Sequence, residues 1–441
     1  MNIVATKQGS VKGVSKTGYT IFRGIPYAKP PVGDLRWKPP VTPDAWEGIR
    51  DATAFGSKSI QMEHDNSSFY VKEFYSDGDY MVESSEDCLY LNIWTPEGNN
   101  PNAKLPVAFW IHGGAFVGGN GGELEFDGKS YCERGVILVT INYRLGALGF
   151  LAHKWLTEES GISGNYGIYD QLAALDWVRE NIAAFGGDGD KITIFGQSAG
   201  AMSVQALVSS ELTEGKIAGA ILQSGGGYKF NISSQRTLKE AEAVGDQFAQ
   251  YVGAKSLADL RALPVEKILE VSGKMFLEAM GSATPGLPFA PCIDGALLKQ
   301  SYDKTLEEGR HLDIHYMLGS TANDLANTPD QKESGIMPTL HNVCVEWSLL
   351  NESLGREPNF VYYFSHPTTE DELGAFHSFE LWYMFGTLGR SWRKKTKADY
   401  LLSEKMLDHW CNFIKTGDPN VMHTGTWYRC KRDNMYFREF V

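Results

Sequence analysis

Six cysteines in 441 residues, none of them in a CxxC pair, argue against zinc binding and dithiol redox chemistry. Cys88, Cys132, Cys292, Cys344, Cys411 and Cys430 stand far apart, as buried thiols of a reducing compartment would. Long hydrophobic runs are missing too. No window reaches the roughly 18 apolar residues of a membrane-spanning helix, and the longest stretches, 105–111 and 136–141, have strand length. Basic residues are in deficit, 41 Lys+Arg against 54 Asp+Glu, and the net charge of −13 excludes nucleic acid and anionic membrane surfaces as main partners. Met1 to Gly9 show no basic start followed by an apolar run, so no signal peptide and a cytoplasmic location are expected. On that basis the glycosylation sequons at Asn66, Asn231 and Asn351 are chance matches. Repeats, low-complexity segments and Pro/Gly/Ser linkers are lacking as well, which points to one domain over 1–441.

What is present is a hydrophobic fraction of 42% and a regular alternation of elements. Residues 89–94, 107–111, 136–142, 192–195, 220–223, 314–319 and 360–364 read as strands. Residues 169–184, 201–208 and 401–416 read as helices, the last stopped by Gly417-Asp418-Pro419. Residues 238–281 read as further helices, inserted above the sheet. Apolar strands alternating with helices imply an α/β fold, a mostly parallel sheet with helices on both faces.

Gly196-Gln197-Ser198-Ala199-Gly200 fits G-x-S-x-G between a strand and a helix, the context required of a nucleophile elbow. The turn is too tight for side chains beside the serine, and the following helix offers its first N–H groups to an oxyanion. His112-Gly113-Gly114-Ala115-Phe116 directly follows the strand at 107–111 and reads as an oxyanion loop. The expected donors are the backbone N–H groups of Gly114, Ala115 and Ala199, with His112 a structural ring. A serine hydroxyl needs a base and the base needs an orienting acid, in the chain order Ser, Asp/Glu, His. Seven histidines follow Ser198 (His311, His315, His341, His366, His377, His409 and His423), and spacing alone does not choose among them.

The chain resembles the type-B carboxylesterase family, which includes the cholinesterases, from end to end. The matching stretches include Phe22-Arg23-Gly24-Ile25-Pro26-Tyr27-Ala28, Glu86-Asp87-Cys88-Leu89-Tyr90-Leu91-Asn92, Asn165-Tyr166-Gly167-Ile168-Tyr169-Asp170-Gln171 and Gly417-Asp418-Pro419-Asn420. The resemblance implies an α/β-hydrolase fold with helical cap insertions over roughly 235–285 and 325–375. It implies a serine carboxylesterase that acts on uncharged esters and needs neither metal nor organic cofactor. Gly374 to Gly386 resembles the family's histidine stretch and makes His377 the base. The family's acid follows a strand-ending glycine by five residues; Gly319 then points to Asp324, an aspartate where glutamate is usual.

Two departures from the family bear on specificity. Ser59 stands where the disulfide partner of Cys88 is expected, so that bridge cannot form. Between Ser59 and Cys88 there is no tryptophan to bind a choline cation, although Phe69, Tyr70, Phe74, Tyr75 and Tyr80 lie there, and Gln197 replaces the cholinesterase glutamate. Phe116, Phe289, Trp347 and Phe376 are expected as pocket walls, with Tyr228 and Phe230 as further candidates. An amidase or thioesterase using the same triad, or a non-catalytic relative, is the alternative reading. The sequence is silent on oligomeric state.

Overall fold

A strand buried on both faces needs apolar side chains at every position, because alternate residues point to opposite sides of the sheet. The computed structural model, which describes residues 2–63, 68–98, 100–230, 235–282, 286–325, 337–422 and 424–441, shows this partition. Val107, Phe109 and Ile111 enter one core, while Ala108 and Trp110 enter the other. Ile137, Val139 and Ile141 likewise oppose Leu138, and Ile192 and Ile194 oppose Phe195.

These strands belong to a ten-stranded sheet. In chain order its members are β1 (Val14–Lys16), β2 (Tyr19–Pro26), β3 (Tyr90–Pro96), β4 (Leu105–Ile111), β5 (Ile137–Ile141), β6 (Gly187–Gln197), β7 (Gly219–Gln223), β8 (His315–Thr321), β9 (Phe360–Phe364) and β10 (Arg438–Phe440). They lie in the order β10-β9-β8-β7-β6-β4-β5-β3-β2-β1. Every neighbouring pair from β5 to β10 is parallel, and β3, β2 and β1 continue antiparallel at one edge. With β4 between β5 and β6 the strand order reverses there, and such a switch opens a crevice outside the carboxyl ends of the strands.

The longer helices are α1 (Tyr166–Asn181), α2 (Ala199–Val208), α3 (Leu238–Val252), α4 (Val265–Met280), α5 (Thr339–Ser353) and α6 (Lys397–Thr416). The buried sides of α1 and α2 join the first core, and Leu402, Met406, Leu407, Trp410 and Phe413 of α6 join the second. Helices therefore cover both faces of the sheet. Helices α3 and α4 pack on each other, and α4 packs on the short helix Gly146–Phe150. The expected cover over 325–375 needs correction. Residues 326–336 lie outside the described residues, α5 packs against β8 and β9, and β9 is a sheet strand. Parallel neighbours need a crossover, and α5 supplies it. Helix α6 begins four residues earlier than its pattern suggests because Thr396 and Asp399 form a reciprocal capping box.

Among the described residues no helix is long and apolar enough to cross a membrane. All six cysteines are free and buried, and burial pushes the Cys88 thiol up to about 12. Asn351, in the one sequon whose three residues are all described, is 1% exposed and sits inside α5.

Candidate active site

Four strand ends build the site. β6 runs directly into Ser198, which takes φ 57 and ψ −125 and serves as the N-cap of α2. That conformation is costly for a residue with a Cβ and persists only where its surroundings impose it. They do so here: the Ser198 N–H donates to Gln223 O at the end of β7, 2.8 Å away. A Cβ on Gly200 would lie 2.1 Å from Ile111 O, so α2 approaches β4 this closely only with glycine in its first turn. Ala115, Phe116, Ser198, Ser224 and Ser378 all have positive φ, as do Trp37, Lys104 and Lys229. Of these eight, Ala115, Ser198 and Ser378 line the cavity described below, which concentrates backbone strain at the site.

The loop after β4 approaches the elbow just as closely. A Cβ on Gly113 would meet Gln197 O at 2.7 Å and Ser198 Cβ at 3.2 Å. The backbone N–H groups of Gly114, Ala115 and Ala199 have no protein acceptor among the described residues. They are free to bind an anionic oxygen beside Ser198. His112 is 1% exposed, stacks on Tyr143 at 4.5 Å between centroids, and places Nδ1 2.9 Å from Gly113 O. Burial lowers its pKa to about 4, so the ring is a neutral support for the loop.

The third and fourth pieces come together from residues 53 positions apart. Asp324 follows β8, and its Oδ1 lies 2.5 Å from His377 Nδ1. The two loops are held in register by a parallel bridge between Asn323 and Phe376. Asn323 N donates to Ala375 O at 2.9 Å, and Ala375 N donates to Asn323 Oδ1 at 3.0 Å. Asp324 also accepts from the N–H groups of Thr321 at 3.0 Å and Leu325 at 2.8 Å. Burial raises its carboxyl, but the imidazole first, with the Thr321 N–H among the donors, outweighs burial and holds it below the usual aspartate value. It is therefore a carboxylate, and it fixes the proton of His377 on Nδ1. Nε2 then carries the lone pair, and the Gln197 amide lies 3.1 Å from it. Ser198 and His377 line the same cavity, with Gln197 occupying the hydrogen-bonding position at Nε2.

The remaining histidines serve elsewhere. His311 bonds Asn351, His315 bonds Glu357, His366 bonds Asp399, and His409 bonds Pro419 O. His341 packs on Tyr363 and Phe437, and His423 lies outside the described residues.

The cavity around Ser198 and His377 has a volume of about 510 Å³. Its apolar wall is made by Tyr70, Phe74, Tyr75, Trp110, Phe126, Phe276, Leu325 and Leu381, and Glu123 and Glu125 also line it. The four expected wall residues do not line it. Phe116 packs on Phe150, Phe289 on Phe248, Trp347 on Tyr316 and His311, and Phe376 on Phe69 and Phe379. Tyr228 and Phe230 also lie outside the lining. Among the described residues no group of three or more His, Cys, Asp or Glu side chains is arranged to hold a metal ion.

Glu380 lies behind the histidine. Burial first, and the charge of Asp324 second, push its carboxyl up to about 7. Gln223 donates to its Oε1 at 3.4 Å, and Oε2 has no partner among the described residues. The native state thus keeps this proton to a higher pH than the unfolded chain, and its contribution to stability declines as pH rises from about 4.5 to about 7. Glu380→Gln keeps the shape and cannot ionise. Its stability relative to wild type should rise across that window by up to about 3 kcal/mol. Urea unfolding of both proteins near pH 5 and near pH 8 measures the difference; a gap independent of pH would contradict the assignment.

A strained serine between strand and helix, an amide-lined loop after a neighbouring strand, and an Asp–His pair at the carboxyl ends of a mostly parallel sheet define an α/β-hydrolase. The sequence model of the carboxylesterase family matches residues 1–335 and 338–440, and the chain belongs to that family. The chain is 34% identical to the para-nitrobenzyl esterase of Bacillus subtilis, over 95% of this chain and 91% of that one. It is 31% identical to human cocaine esterase, over 97% of this chain and 84% of that one. A solved PNB esterase structure superposes with a TM-score of 0.87 at 31% identity, covering 100% of this chain and 96% of the other. The protein is a carboxylic ester hydrolase of the serine type.

Proposed function

We propose that Ser198, His377 and Asp324 are the catalytic triad, and that Gly114, Ala115 and Ala199 form the oxyanion hole. The observation that carries this reading is the 2.5 Å contact of His377 Nδ1 with Asp324 Oδ1, in the same cavity wall as the strained Ser198. In the substrate complex the Gln197 amide yields Nε2 to the serine hydroxyl. Ser198 Oγ attacks the carbonyl carbon as its proton moves to Nε2, and the three amides take the charge that develops on the carbonyl oxygen. The C–O bond to the alcohol breaks, and Nε2 gives the proton to the leaving oxygen. Water then repeats the sequence on the acyl-enzyme. Each oxyanion donor is worth about 10²–10³ in kcat.

The apolar wall suits uncharged esters with short to medium chains or aryl groups. No tryptophan from the segment between Ser59 and Cys88 offers its face to a quaternary ammonium, and Gln197 adds no charge, so choline esters are poor substrates.

Asp324→Asn tests the acid. The amide cannot balance an imidazolium and favours the wrong tautomer, so kcat should fall by orders of magnitude, about 10⁴ in the best-studied triad. Asp324→Glu should retain more activity than the asparagine variant. Steady-state kinetics on a p-nitrophenyl ester reads both, and wild-type turnover in Asp324→Asn would place the acid elsewhere.

A further inference from the structure

Ser198 and His377 take up one part of the cavity wall, and Glu123 and Glu125, from the loop beyond the oxyanion segment, take up another. Both carboxyls are buried, Glu123 at 7% exposure and Glu125 at 2%. Tyr75 Oη and the Asn120 N–H donate to Glu123 Oε1 at 2.8 and 3.0 Å. The two carboxyls lie close enough to share a proton. Glu125 Oε2 has no donor among the described residues. Neither carboxyl hydrogen-bonds a triad residue, so acyl transfer makes no direct use of them. The charged groups whose fields reach the pair are Lys58, on Glu123, and Glu73, on Glu125. Glu73 is itself tied to Arg393 at 2.8 Å. A desolvated acid pair with one unpartnered oxygen, in the cavity that holds the nucleophile and its aromatic wall, is half of a recognition site.

We propose that Glu123 and Glu125 form a subsite for a primary ammonium group carried by the ester substrate. The proposal rests on the esterase reading above and extends it, beyond the uncharged esters that the apolar wall takes, to esters that also carry a primary amine. A primary ammonium brings N–H donors for Glu125 Oε2 and a positive charge for the pair. A quaternary ammonium has no N–H to give and leaves Glu125 Oε2 unpaired; a hydroxyl donates one hydrogen and no charge. Burial supports the picture: it pushes Glu123 up to about 7 and Glu125 well above the carboxylate range, so the pair holds its shared proton near neutrality. An entering cation weakens the hold on that proton. Part of it passes to solvent on binding, and affinity rises with pH until the amine itself deprotonates.

Isothermal titration calorimetry of the wild-type protein near pH 7 tests this without turnover, with hexylammonium, 1-hexanol and hexyltrimethylammonium as probes. Hexylammonium should bind at least about tenfold more tightly than either of the others. Its heat should also change with the ionisation enthalpy of the buffer, which counts the released protons. Glu125→Gln should bring the three affinities to within about threefold of one another. Glu123→Gln is the second variant, and cooperative melting verifies that both are folded. Equal affinity of wild type for hexylammonium and hexanol, equal affinity for the primary and quaternary ions, or a preference that survives both substitutions would overturn the proposal. Hydrolysis of p-nitrophenyl butyrate, followed in parallel, separates the two readings. Lost hydrolysis with the ammonium preference intact would remove the esterase reading, whereas normal hydrolysis with no preference would remove the subsite alone.

Discussion

Ser198→Ala should lower kcat for a p-nitrophenyl ester by at least about 10³-fold while leaving the fold intact. The substitution removes the oxygen that attacks and little else, since the serine side chain caps no amide of α2. The backbone contact that sets the elbow, Ser198 N–H to Gln223 O, does not involve the side chain. Residual activity should come from the amides of Gly114, Ala115 and Ala199, which still polarise a bound carbonyl. Purified protein with an unchanged melting temperature and near wild-type turnover would remove Ser198 from the mechanism.

His377→Ala should be nearly as damaging, because triad members act as a unit and their losses do not add. Without the imidazole the serine proton has no acceptor, and Gln197, the other side chain at that point, is an amide with no useful basicity. The double variant Ser198→Ala/His377→Ala should therefore be no slower than Ser198→Ala beyond about threefold. Independent, multiplying losses in the double variant would mean that the two residues do not share one step.

Much of this site is legible in the amino-acid sequence. The elbow is written in five consecutive residues because its geometry forbids bulk on either side of Ser198, and the segments before and after it show strand and helix character. The pairing of Asp324 with His377 is different. Nothing local marks either residue, and the contact exists only because β8 and the loop carrying Phe376 meet through the Asn323–Phe376 bridge. Family resemblance supplies what spacing does not.

The pocket walls depart from expectation for a physical reason. An aromatic residue at a cavity wall and one in a core have the same composition signature, and burial does not separate them either: Trp110 at the cavity and Trp347 in the core are both at 0% exposure. Tyr75 and Phe126 line the cavity with nothing in the sequence to distinguish them from Phe116. Glu123 and Glu125 are no better marked. Residues 123–126 form a turn closed by the Phe126 N–H donating to Glu123 O at 3.0 Å, and the turn brings both carboxyls to the cavity while Leu124 joins the second core. The role of α5 follows from the adjacent strand patterns, since two parallel neighbours need a crossover between them.

The most direct test of the mechanism is to treat the wild-type protein with a serine-reactive organophosphate, follow ester hydrolysis, and map the adduct by peptide mass spectrometry. One adduct per chain is predicted, on Ser198, with activity lost in proportion to its occupancy. Full inactivation with the adduct on another residue, or complete labelling of Ser198 with hydrolysis undiminished, would contradict the assignment of Ser198 as nucleophile.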